Sequence, residues 1–209
     1  MSKNSLIDEL IRGKYLKTPR IIEAFRLIDR KDFVPPDLVA VAYTNEPLPI
    51  GFGQTISQPL TVAFMLERLS PEPGDNILDI GAGSGWQSAL LAQIVGNKGK
   101  VIAIERISEL VKMARENIGR YNFIDKKLVE VVAGDGSEGY GVAAPYDKII
   151  AAAAARELPL SWKKQLKVGG RIVAPVDHSI IVVHKVGDNK FSTEEYFGFS
   201  FVPLVKDGS

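Results

Sequence analysis

The sequence predicts an α/β protein built on a mostly parallel, doubly wound sheet with helices placed ahead of it. From Asn76 onward, short apolar runs (NILDIG, VIAIE, VEVVAGD, KIIAAAA) alternate with helical stretches, the rhythm of successive βαβ units whose sheet is covered on both faces. A glycine-rich turn, Asp79 to Gly85, falls where the first of these runs ends and a helix begins. After Val176 the rhythm changes. IIVVHKV and EEYFGFSFVPL flank G-D-N-K, a hairpin-type turn, so the sheet is expected to finish with an antiparallel pair.

The elements follow in order. Ser5 to Arg12 and Thr18 to Asp29 carry apolar residues at helical spacing, and Thr18 with Pro19 is a helix-start signal. Phe33 to Ser57 is rich in proline and glycine and reads as one long loop, a length that is usually functional or disordered. A third helix is expected from Ser57 or Gln58 to Leu69, stopped by S-P-E-P-G-D. Helices near Trp86 to Val95, Ser108 to Arg120 and Pro159 to Leu166 connect the later strands, with RIVAPV among them. One domain over 1–209 is the default at this length, with helices and loop in 1–56 and the α/β core in 57–209.

Composition narrows the chemistry. Lysine plus arginine (26) nearly balances aspartate plus glutamate (25), which disfavours a nucleic-acid or anionic-membrane partner. The absence of cysteine excludes disulfides, thiolate metal sites and thiol nucleophiles. His178 and His184 have no third ligand at zinc spacing and no triad around them, so no metal is expected. Trp86 and Trp162 read as packing residues. No apolar stretch is of signal-peptide or membrane-spanning type, and the expectation is a cytoplasmic protein, most simply a monomer.

The sharpest motif is D-I-G-A-G-S-G. Its glycines, Gly81, Gly83 and Gly85, sit closer together than the dinucleotide pattern G-x-G-x-x-G, which weakens a nicotinamide reading. Asp79 ahead of them disfavours an anion and favours a ligand with an amino group, as the methionine end of S-adenosylmethionine has. About twenty residues on, Glu105 ends VIAIE, where a carboxylate can accept from both ribose hydroxyls. Asp135 and Gly136 end the third strand, placed to receive an exocyclic amine such as that of adenine.

The loop P-L-P-I-G-F-G-Q-T-I-S-Q-P, Pro47 to Pro59, closely resembles the active-site loop of the protein-L-isoaspartate O-methyltransferase family. The resemblance runs on through L-D-I-G-A-G-S-G-W-Q-S-A-L-L-A, A-I-E-R-I, A-G-D-G, A-P-Y-D-K-I-I, Q-L-K-V-G-G-R-I-V-A-P-V and F-V-P-L-V, covering Phe33 to Val205 in the family's order. It implies a Rossmann-like S-adenosylmethionine-dependent methyltransferase fold, with a seven-stranded sheet whose sixth strand is antiparallel. It also implies that the acceptor is the free carboxylate of isoaspartyl residues in damaged proteins, whose methylation begins repair. Ser57 then carries the active-site position. Gly53, Gln54 and Thr55 lie against the cofactor, Gly81, Glu105, Arg106, Asp135 and Gly136 complete its pocket, and Leu204 and Val205 close over it. The hydroxyls of Ser57 and Thr55 are also suited to grip the acceptor carboxylate. Two departures stand out. Leu60 replaces a histidine or tyrosine, removing a polar group near the cofactor, and Ala151 to Ala155 replaces a segment that often ends in proline.

Ser57 also reads as an N-cap for the helix that follows, with Pro59 in the first turn. Methylation of a small molecule or RNA, and cofactor binding without turnover, are the competing functional readings; the fold alone does not separate them.

Overall fold

The computed structural model describes residues 1–204. Helices α1 (Lys3–Arg12) and α2 (Pro19–Leu27) confirm the N-terminal expectation, with Pro19 in the first turn of α2. The segment read as a loop is more ordered than that. A 3₁₀ turn, Arg30–Phe33, leads into it, and it holds a second, Pro36–Val41, and a two-stranded antiparallel hairpin, β1 (Leu48–Gly51) with β2 (Gln54–Ile56). Leu48, Ile50 and Ile56 face inward while Pro49 and Thr55 face out, so a period of two is present over a span too short, and too broken by proline and glycine, to stand out. Helix α3 (Pro59–Leu69) follows.

The main sheet contains β3 (Asn76–Ile80), β4 (Lys100–Glu105), β5 (Val129–Ala133), β6 (Tyr146–Ala151), β7 (Leu166–Val176), β8 (Ser179–Gly187) and β9 (Lys190–Phe197), in spatial order β5-β4-β3-β6-β7-β8-β9. The first five are parallel. β8 runs antiparallel to both β7 and β9, so the sixth strand is the reversed one. The connecting helices are α4 (Trp86–Val95), α5 (Ser108–Gly119) and α6 (Leu160–Gln165).

Strand parity divides the core. Ile77, Val101, Ala103, Val129 and Val173 pack with α1–α5 on one face. Leu78, Ile80, Ile102, Ile149 and Ile172 meet Tyr146, Trp162 and Leu166 on the other, a face against which the short α6 and 3₁₀ turns pack. The order β4-β3-β6 reverses the direction of winding at β3, and the crevice at the carboxyl ends of β3, β4 and β6 is where such sheets hold ligands.

Candidate active site

Two adjoining cavities occupy that crevice, of about 320 and 340 Å³, the size range of small-molecule sites. Gln54, Gly81, Glu105 and Ala153 line both, so the two are lobes of one site. The first lobe is walled by Thr55 of β2 and Ser57 just after it on one side and the glycine turn (Gly81, Gly83) on the other. The second is a more apolar slot between Ile107 and Leu204, floored by Gly134 and Gly136.

Gly81, Gly83 and Gly85 all take positive φ. Gly81 and Gly83 line the first lobe, whereas Gly85 does not reach it. Gly85 is there for packing, because a Cβ would lie 2.9 Å from Ile118 and 3.2 Å from the Ala114 Cα, blocking the approach of α4 to α5. Gly136 is equally constrained, since its Cβ would meet Ile80 at 2.5 Å, and Trp162 Nε1 donates to its carbonyl at 3.0 Å.

Glu105 holds the turn. Its Oε2 accepts from Gly83 N at 2.9 Å, and its Oε1 accepts from Arg106 N at 2.9 Å and Ile107 N at 3.0 Å. Three backbone donors fill three of the roughly four acceptor positions of a carboxylate, which leaves about one for a ribose hydroxyl rather than the two expected. Arg106 is exposed at the rim of the second lobe. Asp135 Oδ1 accepts from Ser137 N at 2.8 Å, capping a 3₁₀ turn, and its flanking glycines, not Asp135 itself, line the slot.

Asp79 requires a correction. Strand parity turns it under α4, where Gln87 Nε2 donates to it at 2.7 Å and Ser88 Oγ at 2.6 Å, and it is fully buried. It lines neither lobe; its carboxylate ties the end of β3 to the first turn of α4 and is not placed to meet a ligand's amino group. Burial pushes its carboxyl up to about 6, opposed by the Ser88 and Gln87 hydrogen bonds and reinforced by the Glu105 charge.

The expected capping role of Ser57 is also corrected. Gln58 occupies the N-cap position of α3, and the Leu60 amide is satisfied from a distance by Asn45 Oδ1 at 3.0 Å. The Ser57 hydroxyl makes no hydrogen bond among the described residues, and the residue lines the first lobe. Leu60 lines neither lobe; Thr61 next to it does, so the polar group lost at Leu60 lies outside the described lining. Gly53 sits in the exposed hairpin turn, away from both lobes.

The C-terminal segment contributes more than the two residues expected. Phe201 and Val202 line the first lobe and Pro203 and Leu204 the second, while Val205 lies outside the described residues. Backbone bonds Ala154 N to Val202 O (2.8 Å) and Leu204 N to Ala154 O (2.7 Å) fasten the segment to the alanine run. Ala152 and Ala153 themselves line the lobes, where small side chains leave the crevice open.

Trp86 lines the first lobe as well as packing edge-on against Phe25. Trp162 is fully buried. His178 is exposed in the turn between β7 and β8, and His184 lies 3.6 Å from Glu194, both outside the crevice. No group of residues with metal-ligand character occurs among the described residues.

The sequence model of the protein-L-isoaspartate(D-aspartate) O-methyltransferase family matches residues 1–209. The chain belongs to that family. The protein-L-isoaspartate O-methyltransferase of Staphylothermus marinus is 43% identical over 97% of this chain and 93% of its own. That of Ignicoccus hospitalis is 43% identical over 98% of each. In fold, the chain superposes on 100% of a Plasmodium falciparum member solved with S-adenosyl-L-homocysteine, at a TM-score of 0.90 and 23% identity. Members of this family that bind S-adenosyl-L-homocysteine need a slot for a nucleoside and a polar lobe for an amino acid tail, and the crevice offers one of each. The slot at Ile107 and Leu204 has the more apolar lining, Glu105 lines both lobes where they meet, and the first lobe has the more polar lining.

Proposed function

We propose that the protein methylates the free α-carboxylate of isoaspartyl residues in damaged peptides and proteins, using S-adenosylmethionine and releasing S-adenosyl-L-homocysteine. One observation carries the reading: in a chain of this family, Thr55 and Ser57 stand in the same lobe as the glycine turn, so an acceptor held by the strand lies directly against the methyl donor's pocket.

The cofactor supplies a methyl group on positive sulfur, which passes to a carboxylate oxygen as the carbon–sulfur bond breaks with its electron pair going to sulfur. The protein's part is positional. An α-carboxyl group has a pKa of about 3.3 to 3.7 and is already ionised at neutral pH, so no general base is needed. Ser57 and Thr55 hydroxyls donate to the acceptor's oxygens. Gln54 borders both lobes, where the two reactants meet. Glu105 holds the ribose and, through Gly83, the turn against which the amino acid tail rests. Gly81 and Gly136 keep the floor low, Arg106 and Leu204 frame the base, and Asp135 caps the turn that carries Gly136. Well-oriented pairs of this kind gain roughly 7 to 11 kcal/mol over free reactants.

The whole of 1–209 acts as one unit in this reading, 1–56 presenting the acceptor surface and 57–209 the cofactor core. The near balance of charge favours a peptide over a nucleic acid as partner. Among the described residues no helix is long and apolar enough to cross a membrane. A monomer in the cytoplasm completes the proposal.

The test is methyl transfer from labelled S-adenosylmethionine to two short peptides that differ only in isoaspartate against aspartate. Transfer to the isoaspartyl peptide alone is expected. Equal labelling of both, or of neither with cofactor still bound, would refute the assignment.

A further inference from the structure

Arg30 is 2% exposed and lies behind the acceptor segment. Its Nη1 donates to Ala42 O at 2.6 Å and Thr44 O at 3.3 Å, and its Nη2 donates to Glu46 O at 2.9 Å and Ser57 O at 3.1 Å. One guanidinium therefore joins both ends of the stretch that contains the β1–β2 hairpin. The same group sits 5.3 Å above the ring of Trp86, which lines the first lobe. Four neutral carbonyls are its partners. The carboxylate next to it in sequence, Asp29, is turned to the Tyr43 hydroxyl at 2.6 Å and to Lys3 and Lys31 at 3.6 Å. Burial pushes the guanidinium down to about 10, so it stays protonated at neutral pH.

Four carbonyls do not neutralise a buried cation, and among the described residues no carboxylate pairs with this one, which is costly. We propose that Arg30 is a positioning residue for the acceptor: it pins residues 42–57 from behind, and its buried positive charge, set behind the Ser57 carbonyl and the Trp86 ring, favours a carboxylate over a neutral group in the first lobe. The inference rests on the carboxylate acceptor proposed above. Lysine at this position keeps the charge but loses the planar fork that reaches four carbonyls, whereas glutamine loses the charge.

The full-length protein and its Arg30→Lys and Arg30→Gln variants are compared in three measurements. These are the Kd of S-adenosyl-L-homocysteine, the KM and kcat for an isoaspartyl peptide, and competitive inhibition by the same peptide with a carboxamide in place of the carboxylate. Arg30→Gln is expected to raise KM about tenfold or more and to lower the preference for carboxylate over carboxamide about fivefold or more, as removal of a buried charge partner does. Arg30→Lys is expected to raise KM while keeping that preference, and both variants keep cofactor affinity within about twofold. An unchanged preference in Arg30→Gln overturns the charge role. Cofactor affinity that weakens in step with KM overturns the local one. Amide hydrogen exchange over residues 42–58 separates this inference from the acceptor assignment. If wild-type protein methylates neither peptide, the acceptor reading fails by itself, and exchange that is no faster in Arg30→Lys than in wild type then overturns the pin as well.

Discussion

Glu105→Gln tests the centre of the site, because it removes one charge and adds one donor without changing shape. In the structure one oxygen serves Arg106 N and Ile107 N and the other serves Gly83 N. The amide oxygen of glutamine keeps the first pair as weaker, neutral bonds. Its NH₂ group then faces the Gly83 N–H, donor against donor. A hydrogen bond to a charged acceptor is worth about 1.5 to 3 kcal/mol and a neutral one about 1, so the free protein should lose roughly 2 to 4 kcal/mol. At this chain length that lowers Tm by roughly 5 to 15 °C. Cofactor affinity should fall at least about tenfold, since the ribose acceptor is lost and the turn that carries Gly83 is released. Calorimetric titration with S-adenosyl-L-homocysteine reads the affinity, and thermal unfolding without ligand reads the turn. A Kd within about twofold of wild type would refute the ribose assignment. An unchanged Tm with lost affinity would instead show that the three backbone bonds contribute nothing to the free protein.

Ser57→Ala should lower kcat/KM for the isoaspartyl peptide about tenfold, the worth of one hydrogen bond to a charged group, while leaving cofactor Kd unaltered. Initial rates at saturating cofactor check it, and full activity would remove Ser57 from the machinery. Asp79→Asn should flatten the pH dependence of stability. The folded-state value of about 6 lies above the reference 3.8, so the folded protein holds this proton more tightly. The contribution of Asp79 to stability is therefore greatest below about pH 4 and falls as pH rises through about 6, by on the order of 3 kcal/mol in all. Urea unfolding at the two ends of that window decides, and parallel profiles for the two proteins would contradict it.

Much of the fold was legible because its signals are local. Strand runs such as VIAIE and the close glycine spacing at Gly81 to Gly85 report a strand–turn–helix without reference to anything else in the chain. Glu105 was legible for the same reason, as the last residue of a strand. What failed was whatever depended on a partner far along the chain or on which side a strand presents. Ser57 has the chemistry of an N-cap, but the turn out of β2 hands that position to Gln58 and lets Asn45, from the far side of the hairpin, satisfy the Leu60 amide. Asp79 was placed at the right strand end and given the wrong face, since a sequence shows alternation but not which parity meets α4. Arg30 gave no signal at all. An arginine in I-D-R-K-D reads as surface, and only the return of residues 42–57 surrounds it with carbonyls.

The two walls of the second lobe differ in how they are secured. Ile80 and Ile104 belong to the packed sheet, while Pro203 and Leu204 are held at Ala154 by a pair of backbone bonds. Each such bond contributes about 0.5 to 1.5 kcal/mol net, so this latch opens for roughly 1 to 3 kcal/mol while the sheet stays intact. The sheet wall stands whether or not that latch is made, and the difference between the two walls is read as faster amide exchange at Leu204 than at the strand amides of β3 and β4.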